Sequence, residues 1–201
     1  MKTTGSFEVV KLLIESKALK FGEFTLKSGA SSPFFIDLGQ VKSGKELTLL
    51  GEHIAKALKE HYPSTTLLFG PAYKGIPLAS ATAIALWNLF QVDIPFLYDR
   101  KEAKDHGEGG NFIGRFPFPN DRIVIIDDVL TSGKTKIDAI NSLKKAFGCE
   151  KIGNLVIVDR TTKSSKMDFE YKSLTSLKEI ADYLDSISDQ KAKVIREFME
   201  K

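Results

Sequence analysis

Residues 123–135 read IVIIDDVLTSGKT. Four β-branched residues run into two adjacent carboxylates, then into a Thr/Ser/Gly turn that opens a helical pattern from Lys136. A continuous apolar run of this length reads as a strand buried on both faces, in a mainly parallel sheet covered by helices. The polar residues then fall at the carboxyl end of the strand, where open α/β sheets place their ligands. Asp127 and Asp128 offer acceptors suited to a polyol, a hydrated metal or a proton. Residues 131–135 offer backbone N–H groups and hydroxyls at a helix N-terminus, which makes a phosphate cradle. The same two carboxylates would also suit a plain strand end and helix cap. Gly133, Lys134 and Thr135 end like a Walker A loop, but that pattern needs glycine at 128 and the chain has Asp128.

A chain of 201 residues suffices for one well-buried domain, and two full domains are not expected. The 29 basic and 26 acidic side chains give a net charge of +3, too mild and too evenly spread to argue for nucleic acid. A single cysteine, Cys149, leaves no intramolecular disulfide and no cysteine-based metal cage, so a cytoplasmic location is the expectation. The N-terminus has no apolar signal core, and the longest apolar stretch, 81–90, is interrupted by Thr82 and Asn88. No membrane segment is expected.

In chain order, residues 7–19 have helical spacing with Ser6 placed as a cap. Residues 21–38 read as a hairpin-like pair of short strands. Within them Lys27 beside Phe34 and Phe35 suits a planar anion, or else a core aromatic pair with a solvated lysine. A helix is predicted over 46–61, ended by Pro63, with Leu47, Leu50, Ile54, Ala55 and Leu58 on one stripe. A strand at 66–69 enters the turn Gly70-Pro-Ala-Tyr73-Lys74-Gly75 and then a helix over 76–89. This βα turn lies on the ligand side, so Tyr73 and Lys74 either face a site or form an ordinary turn.

A third strand, 94–98, leads into DRKEAKDHGEGGNFIGRF, which has cations on a glycine hinge and almost no apolar anchor until Phe112. It reads as a closing lid or as a solvated loop. A helix over 136–147 should turn Ile137, Ile140, Leu143 and Phe147 inward and stop at Gly148. A buried strand at 155–158 ends in Asp159 and Arg160. A weak strand near 171–174 and a helical terminal region complete the chain.

FTLKSG, SPFF, GPAYKGIPLA, RKEAKDHGEGGN, IDDVLTSG and the DR at 159–160 together resemble the orotate phosphoribosyltransferases, of the type I phosphoribosyltransferase fold. The resemblance covers most of residues 21–160. It implies a single domain over 1–201, with a mainly parallel sheet flanked by helices and a small hood formed by about residues 1–36. It also implies transfer of the phosphoribosyl group from 5-phosphoribosyl 1-diphosphate to orotate, giving orotidine 5-monophosphate and diphosphate in pyrimidine (UMP) biosynthesis.

On that resemblance Asp127 and Asp128 meet the ribose hydroxyls, while Val129, Leu130, Thr131, Ser132, Gly133, Lys134 and Thr135 wrap the 5-phosphate. Tyr73, Lys74, Arg100, Lys101, Lys104 and His106 match diphosphate-side residues, with Lys27 also near the donor. Lys104 and His106 would stabilise the leaving group, His106 as the candidate proton donor. Lys27, Phe34, Phe35, Thr131 and Arg160 match positions around orotate, where the Arg160 fork suits the carboxylate. Mg²⁺ is expected on the donor's diphosphate and hydroxyls without a direct protein ligand. A homodimer is expected, with the 100–110 lid acting on the neighbouring subunit's site. Lys134 departs from the small residue common at that place in the family and is expected to add a charge contact to the 5-phosphate. A phosphoribosyltransferase for another base shares the Asp127 loop. A transcriptional sensor of the donor would need a DNA-binding segment, and the stretch before Phe21 is too short for one.

Overall fold

The chain begins with helix α1 (Lys2–Glu15), which starts earlier and stops sooner than its periodicity suggested. The computed structural model describes residues 2–25, 29–101 and 111–200, with the side chains of 2–4 left aside. Ser6 is therefore not a cap. It is buried inside α1, and its hydroxyl donates to Thr175 Oγ1 at 2.9 Å, a tertiary bond that no local pattern encodes. Lys17, with φ +59°, turns the chain out of the helix into strand β1 (Leu19–Thr25). β1 pairs antiparallel with β2 (Ser31–Ile36), as the hairpin reading expected, with an irregularity between Phe21 and Phe24.

A 3-10 turn (Leu38–Gln40) leads to helix α2 (Gly44–His61). Ser43 caps α2 and Glu46 returns the bond to the Ser43 backbone, a complete capping box. Its Leu50, Ile54, Ala55 and Leu58 are buried as the stripe predicted. Then follow β3 (Leu67–Gly70), α3 (Gly75–Phe90), β4 (Phe96–Asp99), β5 (Phe112–Gly114), β6 (Arg122–Leu130), α4 (Lys134–Phe147), β7 (Lys151–Asp159), β8 (Lys172–Ser176), α5 (Leu177–Ser186) and α6 (Lys191–Met199).

The main sheet has the order β5-β4-β3-β6-β7-β8, parallel throughout except for edge strand β5. β5 is three residues long and was not visible in the sequence, because so short an edge strand carries no periodic signal. The central strands are buried on both faces. Val124 and Ile126 pack into the core that contains Leu50, Ile54 and Leu58, while Ile123 and Ile125 pack with Ala139 and Leu143 of α4. Gly148, with φ +68°, ends α4 as expected. Ile137 does not turn inward. It is exposed, and the buried position beside it is taken by Lys136.

The strand order leaves an opening beside β3. From β3 the chain crosses to β4 on one side, while β6 lies on the other, so a crevice opens at the carboxyl ends of β3 and β6. At the opposite end of these strands, Asp121 ties the lower loop down. Its carboxylate accepts from both terminal nitrogens of Arg115, from Thr66 Oγ1 at 2.6 Å and from the Phe118 N–H at 2.7 Å.

The Arg115 hydrogen bonds, with smaller help from Thr66 and Phe118 and against the opposing effect of burial, bring the Asp121 pKa down to about 2. A depressed carboxylate stabilises the fold fully above the unfolded-chain pKa near 4 and loses that contribution as pH falls through the folded value. Asp121→Asn should therefore lower stability at neutral pH by about 2 kcal/mol. Denaturant titration across pH should show the gap between the two proteins shrinking between about pH 4 and pH 2.

Candidate active site

The strand end of β6 splits the two carboxylates between its faces. Successive side chains on a strand point to opposite sides, so Asp127 follows Ile123 and Ile125 toward α4, and Asp128 follows Val124 and Ile126 toward α3. Each meets a lysine there. Lys136 Nζ lies 2.7 Å from Asp127 Oδ2, and Lys74 Nζ lies 3.0 Å from Asp128 Oδ2. The carboxylates also brace the backbone: Asp127 Oδ1 accepts from the Asp128 N–H and Asp128 Oδ1 from the Val129 N–H.

Lys74 is shared further. Its Nζ lies 3.8 Å from Asp37 Oδ1, and Asp37 Oδ2 in turn accepts from Lys20 at 3.3 Å and Gln40 at 2.8 Å. Burial pulls the Lys74 ammonium down, but Asp128, Asp37 and Asp127 together outweigh it and hold its pKa above the ordinary lysine value. The first turn of α3 is brought against β6 by Gly75, where a Cβ would stand 2.8 Å from the Ile126 carbonyl oxygen. The turn before it contains a cis Ala72–Tyr73 peptide, and the Ala72 N–H donates to Asp99 Oδ1 at 2.6 Å. Tyr73 is exposed, with Lys101 Nζ 4.6 Å from the centre of its ring.

Beyond the carboxylates, Val129 is half-buried and Leu130 fully buried. Their side chains belong to the core, and only their backbone borders the crevice. Thr131 and Ser132 are exposed. Gly133 takes φ +76° as the N-cap of α4, and no side chain caps the helix. The first-turn N–H groups of α4 are thus directed at the crevice with the positive end of the helix dipole. Lys134 and Thr135 open the helix and are exposed.

The residues expected around the base divide. Phe34 and Phe35 point to opposite faces of β2, so they do not form one flat surface. Phe34 is fully buried, packed edge-on against Phe198 of α6, whereas Phe35 is half-buried beside Phe24 with ring centres 5.6 Å apart. The packing reading holds for Phe34. Arg160, just after β7, is buried with its guanidinium carbon 4.9 Å from the Phe34 ring centre and 5.0 Å from that of Phe198. One terminal nitrogen donates to Ser32 Oγ at 2.7 Å, while Nε has no hydrogen-bond partner. Burial lowers the Arg160 pKa below the ordinary arginine value.

The chain on either side of residues 101–110 is held together: the Arg100 N–H donates to the Asn111 carbonyl at 2.7 Å, and Asp99 pairs with Phe112 across β4 and β5. Arg100 and Lys101 therefore stand at the root of the segment. Lys27, Lys104 and His106 lie outside the described residues. The structure adds Lys136 and Asp37 to the residues expected at the site. A lysine in the first turn after an acid pair was the one available signal for Lys136, and it was hidden by the expectation of an apolar stripe.

Residues 37–187 match the phosphoribosyl transferase domain family. The orotate phosphoribosyltransferase of Agathobacter rectalis is 41% identical over 191 residues, covering 88% of this chain and 84% of that one. That of Aeromonas salmonicida is 47% identical over 156 residues, covering 78% and 70%. Among solved structures, the orotate phosphoribosyltransferase of Francisella tularensis superposes with a TM-score of 0.77 at 29% identity, covering 95% of this chain and 96% of that one. The UMP synthase of Leishmania donovani gives a TM-score of 0.78 at 30% identity, covering 96% of this chain but 42% of the larger protein.

A side chain at Gly133 meets two obstacles. The backbone is left-handed there, and a Cβ would stand 2.8 Å from Met167 Sδ and 2.9 Å from Phe169 Cε1. Gly133→Ala should lose about 1–3 kcal/mol of stability. It should also weaken inorganic phosphate binding severalfold, as read by calorimetric titration, because the N–H groups of the loop are displaced together.

Proposed function

The chain belongs to the orotate phosphoribosyltransferases of the phosphoribosyl transferase family, and from that premise we propose how its residues divide the reaction. The enzyme transfers the 5-phosphoribosyl group from 5-phosphoribosyl 1-diphosphate to orotate, yielding orotidine 5-monophosphate and diphosphate for pyrimidine synthesis. The observation that carries the assignment of roles is the crevice between β3 and β6. There an uncapped helix N-terminus, two carboxylates and Lys74 converge.

The 5-phosphate sits on the N–H groups of residues 131–135, with the exposed Lys134 supplying a charge contact. Asp127 and Asp128 accept from the ribose hydroxyls. Lys74, held charged by its acidic neighbours, supplies positive charge to the diphosphate together with Tyr73, Arg100 and Lys101. Lys27, Lys104 and His106 keep the roles that the resemblance implies, in which Lys104 and His106 stabilise the departing diphosphate. Its departure leaves positive character on the ribose ring. Catalysis then comes from positioning and from charge stabilisation on the leaving group, with no covalent intermediate on the protein.

Mg²⁺ arrives on the donor. Both carboxylates at the strand end already face lysines, which fits an ion bound through the donor's own diphosphate and hydroxyl oxygens. Orotate lies toward the hood. Arg160 supports this reading, since its buried guanidinium uses one terminal nitrogen on Ser32 and retains donors for a carboxylate.

The working unit is a homodimer in the cytoplasm, with the 100–110 segment closing over the neighbouring subunit's site. Support comes from α3, where Ile84 is 63% and Trp87 53% exposed beside Leu89 and Phe90. Between α2 and α3 runs an apolar groove of about 380 Å³ lined by Leu47, Pro77, Ala81 and Ile84. An apolar patch of this kind marks an interaction surface. No helix among the described residues is long and apolar enough to cross a membrane.

Two measurements follow from these roles. Arg160→Ala, assayed by loss of orotate absorbance with Mg²⁺ and the donor, should raise the orotate KM about a hundredfold and leave the donor KM within about threefold. An equal effect on both substrates would place Arg160 elsewhere. Trp87→Glu should convert the dimer to monomer in sedimentation analysis and abolish most activity, because the lid then has no neighbouring site to close. Full activity in a confirmed monomer would refute closure in trans.

A further inference from the structure

Lys136 is unusual for its place on three counts. It occupies the first turn of α4, where the backbone dipole favours an acidic side chain. It is 3% exposed, a burial that lysine adopts only when paired. It also holds a position that helical periodicity would give to an apolar residue. A residue in conflict with its local setting points to a use at the site.

Its contacts are specific. Lys136 Nζ donates to the Val129 carbonyl and meets Asp127 Oδ2, each at 2.7 Å. The other carboxylate oxygen of Asp127 accepts from the Asp128 N–H at 2.8 Å. Both oxygens of a buried acid are thereby fixed in direction, one by an ammonium from α4 and one by the strand's own backbone. The charged groups acting on Asp127 among the described residues are Lys136 from α4, Asp128 beside it on β6, and Lys74 from the turn before α3. Lys74 is already committed to Asp128. Burial pushes the Asp127 carboxyl up and Asp128 pushes the same way, with Lys136 the main opposing force.

We propose that Lys136 is a positioning residue of the donor site, keeping Asp127 ionised and its carboxylate aimed so that the ribose hydroxyls meet a charged acceptor. The proposal rests on the reading that the acid pair holds the ribose. A hydroxyl donating to a carboxylate makes a bond about twice as strong as one to a neutral acceptor. Burial still leaves the Asp127 carboxyl above its ordinary value, and Lys136 is the group that limits that rise. Lys136 acts only through Asp127 and does not touch the donor.

The test is calorimetric titration of 5-phosphoribosyl 1-diphosphate with Mg²⁺ into the wild type, Lys136→Met, Asp127→Asn and the double variant. Each is read relative to the wild type at the same pH, so that titration of the donor's own phosphates cancels. Lys136→Met should bind about tenfold more weakly than the wild type at about pH 6.5, and the deficit should shrink as the pH is raised to about 9, since loss of the ammonium raises the carboxyl further and higher pH reverses that. The double variant should bind no more weakly than Asp127→Asn alone. A deficit of equal size at both pH values, no deficit, or losses that multiply in the double variant would each overturn the proposal. If Lys136→Met does not fold, Lys136→Gln, which can still donate to the Val129 carbonyl, is read by the same criteria. If Asp127→Asn binds the donor like the wild type, the ribose role of the acid pair fails instead, whatever Lys136 does.

Discussion

Two carboxylates at the end of a strand buried on both faces impose the central constraint on this molecule. Asp127 and Asp128 cannot share one face of β6, and leaving either charge unpaired beside the core would cost several kcal/mol. The chain answers with one lysine from each flanking helix turn, Lys136 on the α4 side and Lys74 on the α3 side. Both pairs require the helices to begin close to the strand end. That is the geometry which also aims the N-terminus of α4 into the crevice, and the close approach at Gly75 serves the other side. Charge pairing and helix placement are thus one arrangement.

The hood is built from both ends of the chain. β1 and β2 supply its sheet, and α6 closes it from behind, with Phe198 against Phe34 and the Arg160 guanidinium packed beside both rings. The C-terminal region, which matched no motif, therefore acquires a physical role: it helps hold the guanidinium assigned to the orotate carboxylate. Because α5 packs beside α6 and α1 lies on β8, through Ser6 and Thr175, the hood is anchored to the sheet rather than hinged from it.

Much of this was legible in residue order. The apolar run before Asp127 announced a central strand, the stripe of α2 announced a packed helix, and Gly70 and Asp128 fell at carboxyl ends because parallel strands place their turns there. What was not legible depended on partners distant in sequence. Ser6 resembled a cap because its partner Thr175 lies on another element. Lys136 was passed over because an apolar stripe through Ile137 was the simpler helical pattern, and only the depth of Asp127 reverses that choice. Phe34 and Phe35 looked like one surface although strand alternation separates them. β5 is too short to show a period and exists because β4 offers it an edge.

A crystal structure of the protein with Mg²⁺ and 5-phosphoribosyl 1-diphosphate is the decisive measurement. The 5-phosphate should lie on the N–H groups of residues 131–135 and the ribose hydroxyls on Asp127 and Asp128, with Lys136 still bonded to Asp127 beneath them. A donor seated away from the β3–β6 crevice, or Lys136 released from Asp127 to contact the phosphate, would contradict this arrangement.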